Sequence, residues 1–243
     1  MSVLLEIQHL TKSFGGIRAV NDLSFQVHKG EILGLIGPNG SGKSTCVNLI
    51  SGTYKPDSGC ILFCGRKLLP RDTIGDRVSL GMGRTFQTPK PFGTMNVFDN
   101  VLTVALQHYD FKRAAEKTNE ILNQTGLYPN RDMLSSKLPI ERRKWLDLAR
   151  ILVNDPSFVM LDEVMAGLNP QEMAESLELV SKINNNGSGV TFLFIEHVMK
   201  AVIRICNRVV VINQGQFLSE GEPSEVLRKK EVVDAYIGGG QDA

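Results

Sequence analysis

The sequence predicts an α/β fold with a mostly helical subdomain inserted into it, and three observations carry that reading. Short apolar runs suited to buried strands alternate with helix-length periodic segments in both flanks of the chain. Between the flanks, from about Pro89 to Lys137, the pattern turns to helical periodicity interrupted by polar stretches. One early apolar run also feeds a glycine-rich turn and then a helix, a strand–loop–helix unit.

Each element follows from its own residues. Leu4 to Leu10 alternates well enough for an edge strand, and Leu23 to Val27 for a second. Glu31 to Ile36 is the apolar run before the glycines, and a helix follows from about Lys43 to Ile50. Gly59 to Gly65 is β-like and comes after the turn residues Lys55-Pro56-Asp57-Ser58. In the middle, Asn96 to Gln107 and Phe111 to Thr125 have helical spacing. Beyond it the pattern predicts a helix over Arg142–Leu152, a buried strand over Phe158–Leu161 and a helix over Gln171–Asn184. A buried strand over Val190–Ile195, a helix over His197–Ile205 and a strand over Arg208–Asn213 come next. Asn213-Gln214-Gly215 reads as a hairpin turn, Pro223 to Arg228 opens a last helix, and Gly238 to Ala243 predicts a frayed tail.

Composition narrows the function classes. The 243 residues are 42% hydrophobic, enough for one substantial core. A formal net charge of +1 gives no overall attraction to nucleic acid or anionic lipid, so no nucleic-acid partner is expected. The clusters Arg142-Arg143-Lys144 and Arg228-Lys229-Lys230 are short enough to be solvated helix faces. Cys46, Cys60, Cys64 and Cys206 lack metal-ligand grouping, which suits a reduced cytosolic protein, with Cys46 as a small packing residue. Met1 to Leu10 lacks the features of a signal peptide. No apolar run approaches the roughly 20 residues that cross a bilayer. Any membrane connection is therefore expected to run through a partner, without direct insertion.

Gly37-Pro38-Asn39-Gly40-Ser41-Gly42-Lys43-Ser44 fits G-x-x-x-x-G-K-[ST], with Thr45 opening the helix behind it. Glycines let successive backbone N–H groups converge on phosphate oxygens, and the helix N-terminus adds partial positive charge. Lys43 has the reach for β- and γ-phosphates, and the Ser44 hydroxyl can ligate Mg²⁺. These residues predict a P-loop that binds ATP with Mg²⁺. Phe158-Val-Met-Leu-Asp162-Glu163 supplies the complementary acids. An apolar strand ending in a carboxylate suits Asp162 to the metal, and Glu163 is placed to orient or deprotonate an attacking water.

Further motifs resemble those of the ABC ATPases, and the resemblance covers nearly the whole chain. Arg84-Thr-Phe-Gln87-Thr-Pro89 resembles the Q-loop, which implies that Gln87 contacts Mg²⁺ and water while facing a transmembrane partner. Phe194-Ile-Glu-His197 resembles the switch histidine, implying contact with the γ-phosphate. Phe14 resembles the aromatic residue that stacks on adenine, with core packing as its rival role, and Val20 joins the nucleotide-binding set. Ala166-Gly-Leu-Asn-Pro170, Arg84-Thr-Phe-Gln-Thr-Pro89 and Ile195-Glu-His-Val-Met199 are most similar to ATPases of branched-chain amino-acid importers, and the ending Asp234-Ala-Tyr-Ile-Gly238 is also similar to that group. The resemblance implies a single cassette over residues 1–243, a P-loop NTPase core with an antiparallel β subdomain and a helical insertion at about 89–150. It also implies ATP hydrolysis coupled to transport, at the cytoplasmic face of the cell membrane and with permease subunits as partners. Related importers of amides and polar amino acids leave the cargo open.

One stretch departs from the family. Its Leu-Ser-Gly-Gly-Gln signature falls here on Leu138-Pro139-Ile140-Glu141-Arg142. Pro139 has neither hydroxyl nor N–H, and Glu141 brings a negative charge to where a neighbouring subunit's phosphate is clasped. Arg142 either compensates with a charge-assisted contact or is an ordinary helix-face residue. A homodimer would carry two defective sites, so a heterodimer with a second cassette of intact signature is expected. Val164 also replaces the usual proline after the catalytic acid, and Asn169 a more widespread aspartate. Pro91, Phe92, Met95 and Val97 either meet the transmembrane subunit or belong to the subdomain core. Two alternatives stand beside the importer motor: a soluble ABC ATPase without transport, and a regulatory cassette that binds ATP without productive turnover.

Overall fold

In the computed structural model, which describes residues 2–185 and 189–238, the chain forms two compact units. One joins 1–80 with 191–243, and the other spans 81–190. The first opens on β1 (Val3–Phe14) and β2 (Ile17–His28), an antiparallel pair joined at Gly15-Gly16. Leu5 and Ile7 of β1 and Leu23, Phe25 and Val27 of β2 are buried, the alternation of a sheet with one wet face. β3 (Ile32–Ile36) is buried at all five residues and leads through the glycine-rich loop into α1 (Lys43–Ser51). β4 (Ser58–Phe63) and β5 (Arg66–Leu68) complete a four-stranded antiparallel sheet in the order β2-β1-β4-β5. The expected edge strand at Leu4–Leu10 is thus longer and internal to its sheet. Its pairing with β4 spans some fifty residues of sequence, which local alternation cannot report.

α2 (Ile74–Ser79) was not visible in the pattern, being short and exposed at every residue but Arg77. Thr73 caps it in a full capping box with Asp76. Its Arg77 is buried, and the guanidinium donates to the carbonyls of Leu49 (2.6 Å) and Ile50 at the end of α1.

The second unit begins with β6 (Met82–Arg84). α3 (Val97–Ala105) is capped by Asn96, α4 (Phe111–Gln124) by Asp110, and α5 (Ile140–Leu152) by Pro139 without any side-chain cap. β7 (Phe158–Asp162) is buried throughout and runs parallel to β6, and α6 (Pro170–Asn185) follows. Back in the first unit, β8 (Thr191–Ile195) pairs parallel with β3. α7 (Met199–Ile205) leads to β9 (Arg208–Asn213), parallel to β3 on its other side. β10 (Gln216–Gly221) closes an antiparallel hairpin with β9 at Gln214 (φ 49°) and Gly215 (φ 77°), the expected turn. α8 (Pro223–Val226) and α9 (Lys230–Gly238) end the described chain. The expected tail lies outside the described residues apart from Gly238.

Phe192 and Phe194 of β8 and Phe158 of β7 are fully buried, each worth about 1.5–3 kcal/mol against exposure. Among the described residues, no helix is long and apolar enough to cross a membrane. The basic cluster 142–144 is not the solvated face expected of it. Lys144 is 9% exposed, Arg142 lies over the Trp145 ring, and Arg143 Nε donates to the Leu138 carbonyl at 2.7 Å. Each cation found an in-chain acceptor or aromatic face. Arg228, Lys229 and Lys230 are exposed, as expected.

Candidate functional site

The first unit carries the phosphate loop. Its conformation depends on Gly37 (φ 153°) and Gly42 (φ 103°). A Cβ at Gly37 would stand 2.1 Å from the Ile212 carbonyl oxygen, and one at Gly42 would stand 2.3 Å from that of Ala19. No side chain fits either place. At Gly40 nothing lies within 4 Å of an added Cβ, so that face of the loop is open. The Lys43 ammonium is folded over the loop, donating to the carbonyls of Gly37 (2.6 Å) and Pro38 (2.9 Å) and lying 3.5 Å from Ser41 Oγ. Gly42 forms the N-cap of α1, accepting from the Cys46 amide at 2.9 Å, so the amides of Lys43, Ser44 and Thr45 form the positive end of a nine-residue helix. Asn39, Gly40 and Ser44 are exposed, whereas Ser41 is buried. This cradle fits a polyphosphate: open backbone, one buried ammonium and a helix N-terminus. Cys46 is fully buried behind it, and burial pushes its thiol up to about 12, in keeping with a packing role.

Phe14 is 42% exposed at the end of β1. Tyr54 meets it edge-on, with ring centroids 5.1 Å apart, and Lys12 Nζ lies 5.4 Å from its centroid. Its exposure suits a stacking platform better than core packing. Tyr54, its prop, was not singled out from the sequence. Val20 is fully buried, beneath Gly215. His197 is exposed and sits in the loop between β8 and α7, whereas the sequence placed it on the helix. The helix starts two residues later because Val198 has an extended backbone (φ −84°, ψ 90°).

The second unit brings Gln87, Asp162 and Glu163 together. Gln87 Nε2 donates to Glu163 Oε2 at 2.5 Å. Arg84, absent from the expected set, places Nη2 2.9 Å from Asp162 Oδ2. The Asp162 amide donates to Thr85 Oγ1 at 3.2 Å, and the Thr85 amide to the Met160 carbonyl at 2.9 Å. Glu163 has a left-handed backbone (φ 50°), a conformation costing about 1–2 kcal/mol for an L-residue. In this second unit the Asp162 carboxylate and the Gln87 amide oxygen are hard donors of the kind Mg²⁺ prefers; in the first unit the exposed Ser44 hydroxyl is another. Lys144 Nζ donates to the carbonyls of Val164 (2.8 Å) and Ala166 (2.5 Å), clamping the loop after the acid pair to α5. Nothing local in the sequence announces this clamp or the Arg84 pair, because both join residues far apart in the chain.

The degenerate signature lies at the start of α5. Glu141 is 6% exposed, and its Oε1 has no hydrogen-bond partner. Arg142 stacks 4.1 Å from the Trp145 centroid and reaches Glu141 at 3.8 Å and Glu175 at 3.9 Å, so its charge is used within the chain. Burial raises the Glu141 carboxyl; Arg142 opposes the rise, while Glu175 and Glu172 add to it. The folded chain therefore holds this proton more tightly than the unfolded chain does. As pH rises above the ordinary 4.5, ionisation increasingly favours unfolding. Glu141→Gln should accordingly raise the melting temperature near neutral pH, by on the order of 1 kcal/mol of stability, and much less near pH 4. Thermal melts of both proteins across that range measure it, and a variant no more stable than wild type at neutral pH shows that Glu141 carries no such penalty.

Of the apolar residues after Gln87, Val97 is fully buried, Phe92 and Met95 are 45% and 37% exposed, and Pro91 is half-buried. Val97 belongs to the core; Phe92 and Met95 present apolar surface.

Comparison with known proteins identifies the family and the fold. The ABC transporter family model matches residues 20–166. The high-affinity branched-chain amino acid transport ATP-binding protein LivG of Salmonella typhimurium is 36% identical, over 97% of this chain and 98% of its own. The lipopolysaccharide export system ATP-binding protein LptB of Escherichia coli is 30% identical, over 96% and 97%. The ADP conformation of MJ1267, an ATP-binding cassette of an ABC transporter, superposes with a TM-score of 0.89 at 30% identity, covering 98% of this chain and 100% of that one. With a family match over most of the chain and relatives alike from end to end, the chain belongs to the ABC transporter family as the ATPase subunit of a transporter.

Proposed function

We propose that this chain powers an importer of branched-chain amino acids, or of related amino acids or amides, from the cytoplasmic face of the cell membrane. The observation that carries this is the end-to-end likeness to LivG, at 36% identity. In this reading Lys43 and the loop amides of residues 39–45 hold the ATP phosphates and Phe14 stacks on adenine, whereas Val20, fully buried beneath Gly215, supports the fold and does not meet the nucleotide itself. Ser44, Asp162 and Gln87 hold Mg²⁺, which supplies charge neutralisation on the transferring phosphoryl group. Glu163 takes the proton of the attacking water, with Gln87 holding its carboxylate in place, and His197 contacts the γ-phosphate. The segment 89–150 acts as the helical lobe of one cassette over 1–243, offering Phe92 and Met95 to a permease.

The partner is a second cassette with an intact signature. What supports this reading is that Glu141, with Glu172 and Glu175 near it, puts negative charge on the segment that replaces the family signature, and that Arg142 is already engaged within the chain. One composite site, closed by the partner's signature, is then productive. Purification of the tagged chain from its host membranes tests this. Permease subunits with a second cassette are the expected companions, whereas a homodimer without membrane proteins would favour a soluble ATPase. A second reading, an export motor, has in its favour the LptB of Acidithiobacillus ferridurans, 34% identical over 98% of both chains. Uptake of labelled amino acid by reconstituted vesicles separates the two.

A further inference from the structure

We propose that Arg84 is a resident counter-cation of Asp162, which a divalent metal must displace or share, and that it lowers the site's metal affinity. The inference rests on Asp162 being the metal carboxylate. Arg84 closes β6 and Asp162 closes β7, and the parallel register of the two strands brings their ends to one edge. The guanidinium–carboxylate contact is 2.9 Å, with the side chains only 15% and 11% exposed. Its cationic plane also lies 5.6 Å from the Phe86 centroid, which holds it from a second side. Three residues on, Gln87 holds Glu163, so the segment 84–87 touches both acids of the pair.

A carboxylate withdrawn this far from water needs a compensating charge. Arginine supplies it permanently, because it does not lose its proton in proteins. A metal ion arriving at Asp162 therefore meets a carboxylate that is already neutralised, and it is repelled by the neighbouring positive charge. The negative phosphates of a nucleotide offset that repulsion. Arg84 thus makes metal binding conditional on nucleotide and keeps the acid from retaining metal after nucleotide leaves. Arg84 is a positioning residue in this account.

Equilibrium binding of Mn²⁺, followed by its EPR signal, tests the proposal on the full chain with and without ADP. Arg84→Gln should bind Mn²⁺ roughly ten-fold more tightly with ADP present, and should show binding without ADP that wild type lacks. Arg84→Lys keeps the charge on a shorter stem and should fall between the two. It also decides the matter if the glutamine variant does not fold. Mn²⁺ affinity that is unchanged or weaker in these variants overturns the proposal. Asp162→Asn separates this failure from failure of the metal-site reading. If Asp162→Asn leaves Mn²⁺ binding intact, Asp162 is not a metal residue and both ideas fall. If it abolishes binding while the Arg84 variants show no gain, only the role of Arg84 is lost.

Discussion

Glu163→Gln should reduce ATP turnover by about 10²–10⁴-fold while leaving nucleotide affinity near that of wild type. The substitution removes a proton acceptor and little else. Glutamine is nearly the same size, its side-chain oxygen can still accept from Gln87 Nε2, and the strained backbone at this position (φ 50°) is equally open to it. Measured turnover and the affinity for a fluorescent nucleotide should therefore separate cleanly. In the assembled transporter the same change should abolish uptake if, as proposed, this chain supplies the working acid. Uptake that persists at half or more of the wild-type rate would mean a regulatory cassette, with hydrolysis carried out at the partner's site.

Rebuilding the signature should have the opposite effect. Pro139→Ser, Ile140→Gly, Glu141→Gly and Arg142→Gln together restore the family pattern at the start of α5. The isolated chain should then form an ATP-dependent homodimer, with turnover rising by roughly 10²-fold, the scale of adding one phosphate-binding donor set in a dry site. Stability should fall at the same time. Two glycines in a helix cost about 1 kcal/mol each. Loss of the Arg142 face-on contact with Trp145 costs roughly another 0.5–2 kcal/mol. Turnover against chain concentration, with light scattering in ATP, gives the result. High turnover in the wild-type homodimer, unaltered by the substitutions, would sink the asymmetric arrangement.

What the sequence made legible was whatever is written locally. The phosphate loop and the acid pair each occupy a few consecutive residues whose spacing is dictated by the chemistry. The buried strands β3, β7 and β8 are continuous apolar runs. The failures share a physical cause. β5 and β6 have three residues each, too few for any periodicity, and α2 has six. The alternation of β1 reads as an edge strand because neither of its partners is written into it, whereas the strand lies between β2 and β4. The cluster Arg142-Arg143-Lys144 looked like a wetted face because charge suggests solvent, yet Lys144 found two carbonyls twenty residues away. Arg84 reaches Asp162 across 78 positions, and no window of sequence joins them.

Arg77 alters the electrical character of the phosphate helix. A helix of nine residues is only about 14 Å long, so its two ends ordinarily screen each other at short range. Here the negative end is covered by a buried guanidinium bound to the Leu49 and Ile50 carbonyls, and it contributes little outward field. Seen from the loop, α1 then behaves as a lone positive pole. Attraction for a polyphosphate falls off with distance as it would from a fixed charge. A short helix with its C-terminal carbonyls covered can in this way hold an anion at its N-terminus with little opposition from its own other end.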